Sequence, residues 1–271
     1  SSGLGAETAR ALACAGARVV LAVRDPAKGE RIAAAIDGDT EVRLLDLADL
    51  ASVRAFADTW TGPIDVLVNN AGIMAVPETR TVDGFESQIA TNHLGHFALT
   101  LLLLGKIRDR VVTVTSVLAA QGSVDLDDLN WERRRYKPWA AYSQSKLANQ
   151  LFTFELQRRL VAADNGVRAI AAHPGVAATD LLQTGNRLID LMLLPLKLAA
   201  PDAARGALPT LYAATQDLPG GTLIGPDAGI ATRRTPQFHM PPPAAANAET
   251  ARGLWDLSAR LTGVDAAVGP A

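Results

Sequence analysis

Short apolar segments rich in β-branched residues alternate along the chain with longer segments in which Ala and Leu are interspersed with charged residues. The short segments predict strands, and their almost continuous apolar character is typical of strands buried on both faces of a parallel sheet. The longer segments predict helices. Strands are expected at 18–23, 41–45, 64–69, 111–116 and 167–173, and helices at about 5–15, 27–36, 50–60, 81–104 and 139–162.

Strand–helix alternation at this spacing indicates an α/β fold built on a doubly wound parallel sheet, the Rossmann fold. The 271 residues, of which 48% are hydrophobic and 20% charged, can bury a sizeable core, and no linker divides them. We therefore predict a single domain over residues 1–271. In such sheets ligands bind outside the carboxyl ends of the strands, so residues that directly follow a strand are the first candidates for chemistry.

Composition and charge exclude several classes of protein. The net charge of −2, with scattered basic residues, predicts no nucleic-acid surface. The apolar stretches at 94–104 and 188–200 are too short or interrupted for stable membrane insertion, although the second could form a helix on a membrane surface. The single cysteine, Cys14, excludes an internal disulfide and suits a reducing cytosol, so we predict a cytoplasmic location. No metal is expected, because His93 and His96 lack a third ligand and are better interpreted as packed or hydrogen-bonded.

Tyr142 stands four residues before Lys146 near the start of a predicted helix, so both side chains lie on one face, one turn apart. A phenol ordinarily titrates near pH ~10, and an ammonium one turn away stabilises the phenolate and lowers its pKa. Such a phenol can exchange a proton with a substrate oxygen. Alone, the pair is a weak signal, because most Tyr/Lys pairs at this spacing lie on solvated helix faces.

The first residues have the character of the second half of a phosphate-binding loop. Glycines before a helix let the backbone approach a phosphate, and the helix N-terminus attracts its charge. A Gly-x-Gly pattern is weak evidence by itself, but its place before an Ala-rich helix is informative. The predicted cofactor contacts of this loop are Ser1, Ser2, Gly3, Leu4 and Gly5.

Two strand ends carry residues suited to a dinucleotide. An Arg after the first predicted strand would accommodate a 2′-phosphate, so Arg24 favours NADP(H) over NAD(H). The alternative is that Arg24 is an ordinary surface residue and Asp25 caps the next helix. Asp46 and Leu47 follow the next strand, where Asp46 could bind an adenine amino group or cap a helix.

Further elements follow in a characteristic order: Asn69-Asn70-Ala71-Gly72, Asn92 within Thr91-Asn92-His93-Leu94-Gly95-His96, Ser116 at a strand end, Tyr142-Ser143-Gln144-Ser145-Lys146, and Pro174-Gly175. In combination they resemble the short-chain dehydrogenase/reductase (SDR) superfamily, and most closely its retinol-dehydrogenase-like and WW-domain-oxidoreductase-like branch. The resemblance covers nearly the whole chain. The segments Thr81-Val82-Asp83-Gly84-Phe85-Glu86 and Tyr136-Lys137-Pro138-Trp139 also fit that branch.

The resemblance implies four catalytic residues. Tyr142 would be the general acid in reduction and the base in oxidation, and Lys146 would lower its pKa and bind the nicotinamide ribose. Ser116 would hold the substrate oxygen beside the phenol and stabilise the developing alkoxide. Asn92 would position a water that links Lys146 to bulk solvent. Hydride transfer itself would belong to the cofactor.

The resemblance also implies where the rest of the cofactor and the substrate lie. Cofactor contacts are expected from Asn70, Ala71, Gly72, Tyr142, Lys146, Pro174, Gly175, Val176 and Thr179. Thr179 would bond the carboxamide, although it could equally cap a helix. A segment near 176–205 would cover the substrate, and the segment 121–139 would shape its pocket.

One departure from the family pattern concerns the N-terminus. The pattern starts with a central strand and a longer glycine-rich loop, of which only Gly3 and Gly5 are present. In the expected strand order 3-2-1-4-5-6-7, loss of that strand leaves a gap whose edges lose hydrogen-bond partners. We therefore expect the natural protein to carry additional N-terminal residues.

The leading prediction is an NADP(H)-dependent oxidoreductase that interconverts the alcohol and carbonyl forms of a small to medium apolar molecule, with reduction favoured in the cytosol. One alternative is a regulatory protein that binds NADP(H) without turnover, and another is a related SDR-type epimerase that retains its cofactor. The protein is expected to be a homodimer paired through the helix that carries Tyr142, or a monomer.

Overall fold

The computed structural model describes residues 3–175, 203–227, 235–264 and 267–269. The strands in these ranges are β1 (Val19–Val23), β2 (Thr40–Leu44), β3 (Ile64–Asn69), β4 (Ile107–Val114), β5 (Arg168–Ala172), β6 (Leu223–Pro226) and β7 (Pro236–His239). The helices are α1 (Leu4–Cys14), α2 (Pro26–Ala33), α3 (Leu50–Thr59), α4 (Ser87–Ile89), α5 (Gly95–Leu103), α6 (Pro138–Ala162), α7 (Ala203–Thr215) and α8 (Ala248–Thr262). A π-helical turn, Ala90–Leu94, joins α4 to α5, and 3-10 turns lie at Leu104–Lys106 and Val117–Gln121.

The strands form two sheets, and the predicted α/β Rossmann-like fold is confirmed. β1 and β2 pair in parallel, and the second sheet has the order β3-β4-β5-β6-β7. β3 to β6 run parallel, whereas β7 is antiparallel to β6, so the last strand departs from the predicted parallel sheet. Among the described residues β1 pairs only with β2, and β3 pairs only with β4.

The predicted helix at 81–104 is the one that differs most. Helical structure begins only at Ser87, because Arg80 and Glu86 form a short bridge that closes the preceding turn. The Glu86 carboxylate then caps α4 by accepting from the N–H groups of Gln88 and Ile89. The π-helical turn follows directly and separates α4 from α5.

Helix α6 is buried along most of its length. It packs on β4 and β5, and α8 covers its other side. An aromatic cluster joins these layers: the ring of Phe152 lies 5.6 Å from that of Phe97 and 5.9 Å from that of Trp255. Burying an aromatic side chain of this size contributes roughly 1.5–3 kcal/mol. The helix that carries Tyr142 is therefore held on both faces by the chain's own core.

Within the described ranges, none of the helices is both long enough and apolar enough to cross a bilayer. The apolar stretch at 188–200 lies outside those ranges.

Candidate active site

Tyr142 and Ser116 meet beyond the carboxyl end of β4. Helix α6 starts at Pro138, which suits a first helical position because proline has no N–H to satisfy there. This start carries Tyr142 inward, where its side chain is 5% exposed. Ser116 follows β4 on the adjoining loop, and its hydroxyl interacts with the phenol and acts to lower the pKa of that group. The two groups predicted to hold a substrate oxygen thus lie side by side.

The pKa of Tyr142 departs from the sequence-based expectation. Burial raises the pKa of the phenol above its ordinary value, and the interaction with Ser116 offsets this only in part. The Nζ of Lys146 lies 5.9 Å from the centre of the phenol ring. The expected lowering of the phenol pKa by this ammonium is therefore corrected: Ser116 is the neighbour that stabilises the phenolate, and desolvation outweighs it.

Lys146 is itself buried, with only 4% of its surface exposed. Its Nζ donates to the carbonyl oxygen of Val114 at 3.2 Å, and its own carbonyl accepts from the Thr115 hydroxyl at 2.7 Å. Desolvation lowers the pKa of the amine to about 8. The lysine can therefore gain or lose a proton near neutral pH, which an exposed lysine cannot do.

Asn92 ties the loop after β3 to helix α6. Its Oδ1 accepts from the N–H of Ile73 at 2.8 Å, and its Nδ2 donates to the Ile73 carbonyl and to the Ser145 hydroxyl, both at 2.9 Å. The Ser145 hydroxyl in turn donates to the carbonyl of Tyr142 at 2.8 Å. Asn92 thus fixes the loop beside the phenol-bearing turn of α6.

Two glycines bring backbone close to polar side chains. A Cβ on Gly72 would lie 3.1 Å from Asn92 Oδ1 and 3.2 Å from Lys146 Nζ, so these three residues meet at one point. A Cβ on Gly5 would lie only 2.6 Å from Asn70 Nδ2. The Asn70 Oδ1 is buried without a hydrogen-bond partner. Close backbone approach next to an orphaned amide oxygen suits a ligand that runs along this surface.

The start of α1 fits a phosphate group. Gly3 has φ 63°, a left-handed conformation that favours glycine, and it precedes the first turn of the helix. Leu4 begins the helix and is buried beneath it. Free N–H groups at a helix N-terminus bind anions. A nicotinamide dinucleotide would thus be held by this N-terminus, by the glycine approach at Gly72 and by the Asn70 amide.

Arg24 and Asp46 lie at neighbouring strand ends, next to an open depression of about 760 Å³ that both help to line. Arg24 is exposed, whereas Asp25 accepts from the Lys28 N–H and caps α2, as the alternative interpretation held. Asp46 does not cap a helix: its Oδ1 accepts from the Ala48 N–H, and Asp49 caps α3. Leu47 is buried.

Pro174 and Gly175 lie just beyond the carboxyl end of β5, separated from it by His173, where the prediction placed them. The Gly175 N–H donates to Nδ1 of His173, whose ring contacts that of His239 at 4.9 Å. The other predicted contacts (Ser1, Ser2, Val176 and Thr179) and most of the 176–205 segment lie outside the described residues. The roles assigned to the site residues stay predictions.

His93 of the π-helical turn and His96 of the first turn of α5 are both hydrogen-bonded, as expected. His93 Nε2 lies 2.8 Å from the Ser258 hydroxyl, and His96 Nδ1 lies 3.0 Å from the carbonyl oxygen of Asn92. Among the described residues no group of three His, Cys, Asp or Glu side chains is arranged to hold a metal ion.

Sequence reasoning missed Gln88, which lies one turn before Asn92. Its amide oxygen, Oε1, accepts from the Ala75 N–H at 2.7 Å. Its amide nitrogen, Nε2, donates to the Tyr136 hydroxyl and to the Pro138 carbonyl. Gln88 therefore joins the loop after β3 to the start of α6, as Asn92 does further along. The available signal was a polar residue four positions before Asn92, on the same face of the helix.

The segment 121–139 is folded around one buried carboxylate. Asp128 accepts from the backbone N–H groups of Glu132, Arg133 and Arg134 and from the Arg134 side chain. Burial acts to raise the pKa of Asp128, but these hydrogen bonds lower it overall. Arg134 also donates to Gln144 on α6 at 2.7 Å. The segment is thereby fixed to the helix that carries Tyr142.

Comparison with known proteins agrees with this geometry. The sequence profile of the short chain dehydrogenase family matches residues 1–188. Retinol dehydrogenase 13 of Homo sapiens is 40% identical over 285 residues, which cover 98% of this chain and 83% of that protein. A probable oxidoreductase of Streptomyces lividans is 49% identical over 190 residues, covering 67% and 63% of the two chains. The crystal structure of an uncharacterized Mycobacterium paratuberculosis protein is 54% identical, covers 98% of this chain and 92% of that one, and has a TM-score of 0.86.

The chain belongs to the short chain dehydrogenase family. Its profile covers more than half of the sequence, and relatives of about 40% identity extend over almost all of it. The retinol dehydrogenase homologues confirm the predicted branch. The protein is accordingly an oxidoreductase that acts on CH–OH groups.

Proposed function

We propose that the protein interconverts the alcohol and carbonyl forms of a small to medium apolar molecule with NADP(H), and that carbonyl reduction is its direction in the cell. The observation that carries this proposal is the buried pair of Tyr142 phenol and Ser116 hydroxyl, with the buried amine of Lys146 on the next turn of the same helix. The pair can bind one substrate oxygen from two sides and exchange a proton with it.

Each residue has a defined task in this proposal. The nicotinamide supplies the hydride when bound. Ser116 donates to the substrate oxygen, and Tyr142 gives it a proton in reduction or takes one in oxidation. Lys146, whose pKa is lowered to about 8 by desolvation, replaces that proton from its buried position. Asn92 holds the loop at Gly72 close to the amine.

The preference for NADP(H) rests on Arg24. It is an exposed cation directly after β1, and the depression it lines also contains Arg43. Arg43 is already engaged, because it pairs with Glu41 at 2.6 Å and stacks over Trp60 at 4.7 Å. Arg24 is therefore the better placed of the two to receive a 2′-phosphate.

The apolar character of the substrate is supported by two observations. Several relatives are named retinol dehydrogenases, and retinol is an apolar alcohol. The segment 121–139 is fixed through Arg134 to Gln144 on the helix that carries Tyr142, and the exposed ring of Trp139 lies three residues before that tyrosine. We also propose a cytoplasmic location, because the single cysteine, Cys14, suits a reducing compartment.

The test is a panel of apolar aldehydes, ketones and alcohols, assayed with NADPH and with NADH by absorbance of the reduced nicotinamide. Net oxidation of NADPH with a carbonyl substrate, faster than with NADH, is expected. Conversion of a substrate without net change in the cofactor would favour an epimerase, and tight NADPH binding without turnover of any compound would favour a regulatory protein.

A further inference from the structure

The π-helical turn Ala90–Leu94 determines where Asn92 lies. In this turn the N–H of Gly95 bonds to the carbonyl of Ala90, five residues earlier rather than four. Such turns are rare and occur often at functional sites. Because the wider turn is not the intrinsic preference of a helix, contacts outside its main-chain ladder must help to hold it.

His96 supplies such a contact. Its Nδ1 lies 3.0 Å from the carbonyl oxygen of Asn92. A carbonyl oxygen can only accept, so Nδ1 must carry the hydrogen. Both residues are almost completely buried, with 2% of His96 and none of Asn92 exposed, so water does not compete for this hydrogen bond.

We propose that His96 is a positioning residue for the reaction: its Nδ1–H fixes the main-chain oxygen of Asn92, and with it the Asn92 side chain that meets Lys146 at Gly72. This inference rests on the proposed function. Every polar group of the Asn92 side chain is bonded to Ile73 or Ser145, so a displaced carbonyl would move the loop and the amine site together. Desolvation lowers the pKa of His96 to about 4, so at neutral pH the ring stays neutral and its Nδ1–H stays available as a donor.

His93, three residues before His96 and inside the π-helical turn, provides a matched control. It is as buried as His96, with 1% exposed, and desolvation likewise lowers its pKa, to about 3. Its Nε2, however, bonds to the Ser258 hydroxyl on α8, away from Asn92. Removing the His93 ring therefore disturbs the core to a similar extent but leaves the hydrogen bond to the Asn92 carbonyl in place.

The experiment compares His96→Leu, His96→Asn and His93→Leu in the full chain. In H96L, kcat should fall about tenfold, the worth of one lost hydrogen bond in a buried site. The KM for NADPH should stay unchanged, and the solvent isotope effect on kcat should rise because proton supply slows. H96N should remain near wild type, since the amide nitrogen of Asn takes the place of Nδ1. H93L should lower Tm but leave kcat and the isotope effect unchanged.

Equal kcat values for H96L and H96N, or an equal loss in H93L, would overturn the proposal. Should H96L not fold, His96→Gln replaces it, because its amide is displaced by one carbon and misses the carbonyl. Hydrogen exchange supplies a readout without turnover: the Gly95 amide should exchange faster in H96L than in H96N, and equal protection would count against the proposal. Wild-type protein without any turnover would instead contradict the proposed function.

Discussion

The buried amine of Lys146 makes a prediction about stability that can be worked out from the structure. Desolvation lowers its pKa from 10.5 to about 8, so at neutral pH the folded protein keeps a proton on an amine that burial disfavours. The difference between the unfolded-state and folded-state pKa values corresponds to about 3 kcal/mol, and below pH 8 the folded state is destabilised by this amount. Between pH 8 and 10.5 the folded state binds fewer protons than the unfolded chain, so the penalty disappears as the pH rises.

Lys146→Met removes the titrating group while keeping a long apolar side chain. Urea unfolding of wild type and K146M should be measured at several pH values between 7 and 10. The stability of wild type relative to K146M should increase by about 2–3 kcal/mol over this range. The loss of the bond to the Val114 carbonyl adds a constant difference that does not depend on pH.

A control separates the amine from the neighbouring phenol. The same comparison in a Tyr142→Phe background should give the same pH dependence, because burial places the pKa of Tyr142 above the window. A stability difference that stays flat from pH 7 to 10, or one that falls, would refute the reasoning. It would mean that Lys146 is hydrated in the folded protein and is no proton reservoir.

Three further predictions concern other parts of the site. Arg24→Ala should raise the KM for NADPH about tenfold and leave that for NADH almost unchanged, as measured by steady-state kinetics; equal effects on both cofactors would remove Arg24 from the 2′-phosphate site. Gly72→Ala should lower kcat about tenfold, because its Cβ would displace Asn92 and Lys146, whereas Gly105→Ala, which faces open space, should be neutral; similar kcat values for both would contradict the close approach. Asp128→Asn should reduce the free energy of unfolding by about 1.5–3 kcal/mol in urea titrations, because the carboxylate accepts four hydrogen bonds; an unchanged midpoint would show that the 121–139 segment is held by other contacts.

The strands that sequence reasoning located are those with strong apolar runs. The segment 64–69 was predicted with the bounds of β3, and β1, β2, β4 and β5 differ by a few residues at their ends. These strands lie in the parallel sheet region, where burial on both faces imposes an apolar sequence. The order of site motifs could be predicted for the same reason, because each follows such a strand or begins a long helix.

The elements that were missed lack that signal. β6 contains Gly225 and Pro226, which are uncommon inside strands. β7 begins with Pro236, and apolar and polar residues alternate along it, as they can in an edge strand. Helix α7 contains Pro209, which sequence rules treat as a breaker. Helix α8 could have been found from its ends, since Asn247 caps its start and Gly263 adopts the left-handed conformation after its last turn.

The candidate site shows where spacing ceases to be informative. The four-residue interval between Tyr142 and Lys146 indicates a shared helix face, but the direction of a pKa depends on burial and on which group each donor reaches. Here burial dominates both residues, and the Lys146 amine donates to a backbone carbonyl on β4 rather than to the phenol. The π-helical turn at Asn92 likewise depends on the hydrogen bonds of Asn92 to Ile73 and Ser145 in other segments, which a local pattern does not contain.

The central claim is that the Tyr142 phenol exchanges the proton with the substrate oxygen, and kcat of Tyr142→Phe tests it most directly. Tyr212→Phe, which removes the same hydroxyl from α7, is the matched control. With a carbonyl substrate and NADPH, Y142F should lose at least about a hundredfold in kcat while NADPH binding, followed by fluorescence, stays near that of wild type. Turnover by Y142F equal to that of Y212F would contradict the account.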